Sequence, residues 1–482
     1  MISDVQGARR DRLGMISGPQ RSKAGAGLIL FAVATAFYAA WPLWRAFFPF
    51  EIDLKEPWNA YHADAAFSLA LYPDPAGLVS NNYPPFWYYL TGALGRLGPD
   101  PLMIGRALSA ASVVAVAVIA ARLVRAWGGS RPAAVLAGLL FTATMVRYAD
   151  YYVAMNDQNI TALAVMSGAL LWASQGDVDR GRVAGPALLL VTGGFFKHSL
   201  VAIPATMVFM LYRRSRRAAY AAAAICVASS AVLLAVLTAI YGRFFLDQVF
   251  LYPREMSLWR AVLNLDRLGA VLPAILLWAL WWWRERDREP AVLSAALIGF
   301  AVLSYLLQKS GAKTAVNSAF ELFFAVSVDV GLAFDRLPDL LQQFGARSIP
   351  RAIAENAVIG ILALVIIAAP GLEPYALWFS SDYRAQFHKN LAIVDFEAAR
   401  IAAISGPVHC SFQAICRRAG KDLVVDDIFV EEKFATGRLS PDRFAALAGA
   451  IRFEIVDPRV SMRPLRRELR YGHPSEDFSQ LR

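Results

Sequence analysis

Long apolar runs separated by short polar or basic clusters make up most of this chain. Runs of spanning length fall at about 27–48, 101–124, 132–149, 158–174, 184–196, 199–212, 218–241, 266–283, 291–307, 315–334 and 352–370. Roughly 20 apolar residues in a helix cross a bilayer core, so each longer run predicts a transmembrane helix. The runs 184–196 and 199–212 are short and flank Lys197 and His198, as two short spans or one broken segment; counted as two they bring the total to eleven. The predicted fold class is an α-helical polytopic membrane protein. Its expected parts are an N-terminal cytoplasmic segment, 1–26, a membrane domain, 27–370, with a first outer loop at 49–100, and a soluble C-terminal domain, 371–482.

Charge placement gives the orientation. With the N-terminus inside, alternate connections collect Arg122, Arg125 and Arg131, then Arg180 and Arg182, then Arg213, Arg214, Arg216 and Arg217, then Arg284, Arg286 and Arg288, then Arg347 and Arg351. That is the positive-inside pattern, and it leaves the C-terminal tail outside. Arg9, Arg10, Arg12, Arg21 and Lys23 precede the first run, and Trp41-Pro42-Leu43-Trp44-Arg45 ends it. A cleaved signal peptide has a shorter apolar core and a small-residue cleavage site, so an uncleaved first helix with an aromatic interface belt is expected.

Composition agrees with the pattern. The 482 residues are 57% hydrophobic, against about 45–50% in soluble domains. The net charge of +10 comes from clusters between apolar runs, so it reports topology and excludes a nucleic-acid partner.

The stretch Glu51 to Tyr89 breaks every rule for a span. It carries Glu51, Asp53, Glu56 and Asp64, then His62, two asparagines and the Tyr83-Pro84-Pro85 turn. Acids against the end of a membrane helix are partly desolvated, which raises a carboxylate toward the range of a general base. The segment Pro85 to Leu97 is too short to span and predicts an interfacial helix with Trp87, Tyr88 and Tyr89 at headgroup depth. In the tail, Pro407–His409, Leu423–Val425 and Phe453–Asp457 look like strands, whereas Phe396–Ile404 and Asp442–Ala450 look helical, as in a small α/β domain. Cys410 and Cys416 form a disulfide there if the tail faces an oxidising compartment; Cys226 lies in an apolar run as packing.

Topology gathers the remaining polar residues on the outer face. They are Asp53, Glu56, Asn59, His62 and Tyr83 in the first loop, Asn156 and Asp157, Lys197 and His198, Arg254, and Lys309, Lys313 and Asn317 with Glu321 one turn further in. Each has a plainer reading: Asp157 as a helix cap, the lysines as snorkelling residues, Asn317 and Glu321 as helix–helix glue. Their convergence favours a shared site. Acids facing cations suit a reaction in which a hydroxyl loses a proton while a phosphate leaves. For a membrane enzyme the natural donor is a sugar on a polyprenyl phosphate. The competing class is a multi-pass transporter or lipid-linked-sugar flippase, which calls for mid-membrane polar groups and internal repeats; no repeat is found.

The succession EPWNAYHADAA, LYP, NNYPPFWYYLTGAL, GRALS, MNDQN, FFKHSLVAIP and KSGAKTAVNSAFE resembles bacterial GT-C membrane glycosyltransferases related to dolichyl-phosphate-mannose–protein mannosyltransferases, over roughly residues 25–370. The resemblance implies an inner-membrane enzyme that inverts a polyprenyl-phosphate sugar onto a periplasmic glycan, lipid or protein acceptor. It implies a first-loop base at Asp53 or Glu56: position favours Asp53, the EPWNAY context favours Glu56, and the reading leans to Glu56. It also implies an acceptor-orienting Asp157, or one that binds a divalent cation where the family uses one, and a phosphate-facing pair at Lys197 and His198; Lys313, on the same face, is read as a further phosphate partner. The first loop lacks the adjacent acidic pair of the protein mannosyltransferases, which leaves base and acceptor open.

Overall fold

A computed structural model of the chain describes residues 25–175, 183–252, 254–265, 271–336, 350–367 and 371–456. The basic N-terminal segment, Arg180, Arg182 and Arg347, the start of the run at 266, the end of the run at 370 and the tail from Asp457 onward lie outside the described residues.

Helix α1, Gly25–Arg45, leads into the first loop, which contains α2, Lys55–Asp64, and α3, Phe86–Gly95. The bundle continues with α4, Pro101–Ala126, α5, Arg131–Tyr148, α6, Gln158–Gln175, α7, Ala184–Phe196, α8, Ala202–Arg214, and α9, Arg216–Tyr241. Short helices α10, Arg243–Val249, and α11, Leu258–Leu263, precede α12, Leu272–Glu285, α13, Glu289–Lys309, α14, Phe320–Phe334, and α15, Arg351–Ile367. The C-terminal region adds α16, Glu373–Phe379, α17, Ser381–Ala402, β1, Val408–Cys410, α18, Gln413–Arg418, α19, Asp427–Ala435, α20, Pro441–Ile451, and β2, Glu454–Val456.

Over the described residues, every predicted apolar run coincides with a helix. Among the described residues, five segments are long and apolar enough to cross a membrane: Gly25–Arg45, Pro101–Ala126, Arg216–Tyr241, Glu289–Lys309 and Val316–Phe334. Helix starts are written locally. Asp100 accepts from the Leu102 N–H ahead of Pro101, and Ser130 and Ser215 cap α5 and α9 in the same way. The two short runs are separate helices: Glu321 accepts from the Val201 and Ile203 N–H groups and from the Ser304 hydroxyl, which fixes the start of α8. All residues of α14 are buried, with α4, α5, α12 and α13 around it, so α14 is the bundle's axis.

In the C-terminal region helices alternate with two short strands. Strands β1 and β2 pair in parallel, Val408 opposite Glu454 and Cys410 opposite Val456. Leu423–Val425 is not a strand: Val425 packs on Leu78 of the first loop, and the next N–H, of Asp426, donates to the Leu78 carbonyl. The apolar core here is shared rather than private. Trp41, Phe48 and Phe50 pack with Phe387, Val394 and Ile401 of α17. Trp41 and Trp44, expected at the lipid interface, meet Phe387 at ring distances of 5.5 and 4.7 Å. Residues chosen for a membrane boundary instead glue the two ends of the chain together, because aromatic area is as easily buried by protein as by headgroups.

Cys410 and Cys416 form a disulfide, with Cα atoms 5.9 Å apart, tying β1 to α18. The bridge closes a short loop, so its removal removes a modest constraint. Cys410→Ser with Cys416→Ser is expected to lower stability by about 2 kcal/mol. Thermal unfolding in detergent, with and without reductant, checks this; the double variant should be insensitive to reductant.

Candidate active site

The geometry begins with one arginine inside an apolar helix. Arg106 lies in the second turn of α4 and is 1% exposed. Its Nε donates to Glu56 Oε1 at 2.9 Å and its Nη2 to Glu56 Oε2 at 2.6 Å. The same guanidinium donates to the carbonyls of Ala46, Phe48 and Phe50. Glu56 also accepts from the N–H of Ile52 at 2.7 Å and of Asn156 at 2.9 Å. Arg106 therefore shapes the chain from residue 46 to residue 56 around itself.

Asn156 carries the constraint to the next loop. Its amide donates to the Glu56 carbonyl, its Oδ1 accepts from Trp87 Nε1, and its carbonyl accepts from Asn59 Nδ2. Asn59 in turn accepts from the Tyr88 hydroxyl. Trp87 and Tyr88 are thus fully buried hydrogen-bonding residues, contrary to the interfacial position expected from sequence. Gly105 completes the joint: a Cβ there would fall 1.9 Å from Asn156 Oδ1. Gly105→Ala is expected to cost about 1–3 kcal/mol by overpacking and to lower activity by displacing Asn156. A thermal shift in detergent alongside a rate measurement checks both.

Held in this frame, two acids and two lysines meet. Asp157, 1% exposed, caps α6 with Oδ1, which accepts from the N–H and the amide of Asn159, both at 2.8 Å. Its Oδ2 is buried with no hydrogen-bond partner among the described residues. Burial raises the Asp157 carboxyl above its ordinary range; Lys197, the Asn159 bonds and Lys55 oppose the rise. Asp53 is buried and accepts from the Lys55 N–H through Oδ1. The Lys55 ammonium lies 3.5 Å from the Tyr152 hydroxyl. Burial lifts the Tyr152 phenol far above its ordinary value, with further contributions from Tyr151, Asp157, Asp53 and Tyr83. Lys197, buried, sits 3.5 Å from the centroid of the Tyr83 ring. Asp53, Lys55, Tyr83, Tyr152, Asp157 and Lys197 form one cluster.

Other sequence candidates fall around it. His62 is packed edge-on against Trp58 at 4.4 Å, and burial pushes its pKa down to about 3, so it is a neutral ring. His198 is exposed beside Phe250. Lys309 donates to the carbonyls of Thr314 and Ala315 and shapes the 310–315 turn. Lys313 pairs with Glu431 of α19 at 2.6 Å, and Arg254 lies 3.9 Å from Glu432. Asn317 is half-buried in a single 3₁₀ turn, Val316–Ala319.

Arg106, Lys55 and Tyr152 were not singled out from sequence, although GRALS contains the first of them. The C-terminal region also reaches the first loop directly. Asp426 Oδ2 accepts from Trp58 Nε1 at 2.5 Å, and burial pushes its pKa up to about 8. Glu51 accepts from the Ala414 N–H, while Arg417 bridges Asp64 and Asp100. Among the described residues, no group of three His, Cys, Asp or Glu side chains comes together as a metal-holding set. The two acids of the cluster, Asp53 and Asp157, are interleaved with Lys55 and Lys197, a set that does not fit a resident divalent cation.

Comparison with solved structures bears on the fold. The chain is similar to ArnT from Cupriavidus metallidurans in the apo state, with a TM-score of 0.50 and 16% identity, covering 88% of this chain and 94% of that one. It is also similar to the same protein bound to undecaprenyl phosphate, with a TM-score of 0.52, 16% identity and 90% of each chain covered. The fold is GT-C-like. A weaker likeness, TM-score 0.46 at 14% identity over 79% of this chain and 58% of the other, is to the apo oligosaccharyltransferase of Archaeoglobus fulgidus, and nothing rests on it. No protein-family model matches the chain, and no curated protein does.

Proposed function

We propose that the protein is a membrane glycosyltransferase that moves a sugar from a polyprenyl-phosphate donor to an acceptor hydroxyl with inversion. The observation that carries this reading is the unpartnered, buried Asp157 oxygen, flanked by Lys197 and Lys55 within a GT-C-like bundle. A carboxylate oxygen kept dry and unpaired is costly unless a ligand hydroxyl meets it. Lys197 and Lys55 supply the positive charge that a departing phosphate needs. In this reading eleven helices span the membrane and the cluster faces the outer side. The disulfide supports an oxidising compartment for the C-terminal region.

The step is a single displacement. Asp157 Oδ2 accepts a hydrogen bond from the acceptor or the sugar and orients it. The acceptor oxygen bonds to the anomeric carbon as the bond from that carbon to the phosphate oxygen breaks. The hydroxyl proton passes to Asp53, and the electron pair leaves with the polyprenyl phosphate, held by Lys197 and Lys55. Glu56 is assigned a positioning role instead of the base, because each of its oxygens already accepts two hydrogen bonds.

Purified protein in detergent, given a panel of polyprenyl-phosphate sugars and envelope extract, tests the reading. Labelled sugar should appear in an acceptor and inverted stereochemistry in the product. Folded protein that transfers nothing from any donor but carries lipid-linked sugar across liposome membranes would replace it with transport.

A further inference from the structure

The lysine corner is continued by a row of aromatic rings that the proposed chemistry does not use. Tyr83, which faces Lys197, meets Trp58 edge-on at 5.5 Å. Trp58 stacks on Phe429 of α19 at 5.7 Å, and Phe429 meets Tyr252 edge-on at 5.2 Å. The row ends at a polar group. Glu432 is 4% exposed, and its Oε1 has no hydrogen-bond partner among the described residues. Its near cation is Arg254, whose Nε is 3.9 Å away, beyond hydrogen-bond reach. The Tyr252 hydroxyl is likewise buried, with no hydrogen-bond partner among the described residues. Arg254 is half-exposed, at the mouth of the group, and its charge is felt at His198, beside Lys197.

A phenol and a carboxylate oxygen left unpaired in one buried spot call for a ligand that both donates and accepts. Adjacent sugar hydroxyls do both, and aromatic faces pack on the apolar face of a sugar ring. Arg254 offsets the charge of Glu432, so the group is near neutral and does not select a cation or an anion.

We propose that Tyr252, Arg254 and Glu432 are specificity-determining residues that hold hydroxyls of a neutral sugar carried by the donor lipid. Glu432 accepts from one hydroxyl, Tyr252 donates to a neighbouring oxygen, and Arg254 closes the mouth. This rests on the glycosyl-transfer reading, with the phosphate at Lys197 and the sugar directed along the ring row.

The test measures displacement of labelled polyprenyl phosphate by bare polyprenyl phosphate and by its neutral-hexose, amino-sugar and uronic-acid derivatives. Transfer from each sugar is measured in parallel. Wild type should prefer the neutral hexose. Glu432→Gln and Tyr252→Phe should each weaken the hexose derivative by about ten- to a hundredfold, with bare polyprenyl phosphate unaffected. Equal weakening of both ligands, no weakening, or preference for a charged sugar overturns the assignment. Sugar-dependent binding by a wild type that transfers nothing supports the subsite and sinks the catalytic reading. Binding of bare lipid phosphate with no response to any sugar overturns the subsite alone.

Discussion

Asp53→Asn is expected to lower kcat by about 10²- to 10⁴-fold, the contribution of a positioned general base, while the protein folds and binds lipid phosphate as before. Two features separate Asp53 from its neighbour. Glu56 is locked into a bidentate pair with Arg106 and two backbone N–H groups, so it has no spare capacity to receive a proton. Asp53 lies three residues earlier, on the segment that Arg106 shapes, beside Lys55 and within the field at Tyr152. Single-turnover rates with a competent donor check the effect, and circular dichroism checks the fold. If Glu56→Gln stays folded and loses as much rate, Glu56 is the base and Asp53 is its support.

The second large effect is on stability. Breaking the Glu56–Arg106 pair from either side leaves a charge uncompensated in a site where the two side chains are 0 and 2% exposed. Arg106→Ala or Glu56→Gln is expected to cost about 3–5 kcal/mol, with activity lost through failure of the loop rather than of the chemistry. The double variant should cost little more than either single one, since both remove the same interaction. Thermal midpoints of the three variants in one detergent decide it. Additive losses would mean that Arg106 acts mainly through the carbonyls of residues 46, 48 and 50.

These two residues also mark how far the sequence can be read. Helix positions follow from hydropathy alone, because lipid and a packed bundle both demand unbroken apolar runs with their backbone bonds satisfied internally. The acids and lysines of the outer face are visible for the same reason: they interrupt that demand. Arg106 is not, since a single charge in the second turn of a helix that opens PLMIGRALSAAS reads equally as a snorkelling side chain, and its partner is 50 residues away. Trp87 and Tyr88 fit an interfacial helix by composition, and only their partners Asn156 and Asn59 show that they face inward. Leu423–Val425 has strand-forming residues but, among the described residues, no neighbouring strand to pair with. Contacts such as Trp58 with Asp426, 368 residues apart, leave no local trace at all.

That last contact orders events during synthesis. The loop bearing Asp53 leaves the ribosome early, yet its packing partners Phe387, Ala414, Asp426 and Lys433 come from the far end of the chain. Until those residues emerge, Trp58, Leu78 and Phe50 wait unclothed beside the membrane, recognisable to chaperones and proteases. A message truncated near residue 370 would therefore yield a chain whose first loop lacks the partners that cover it.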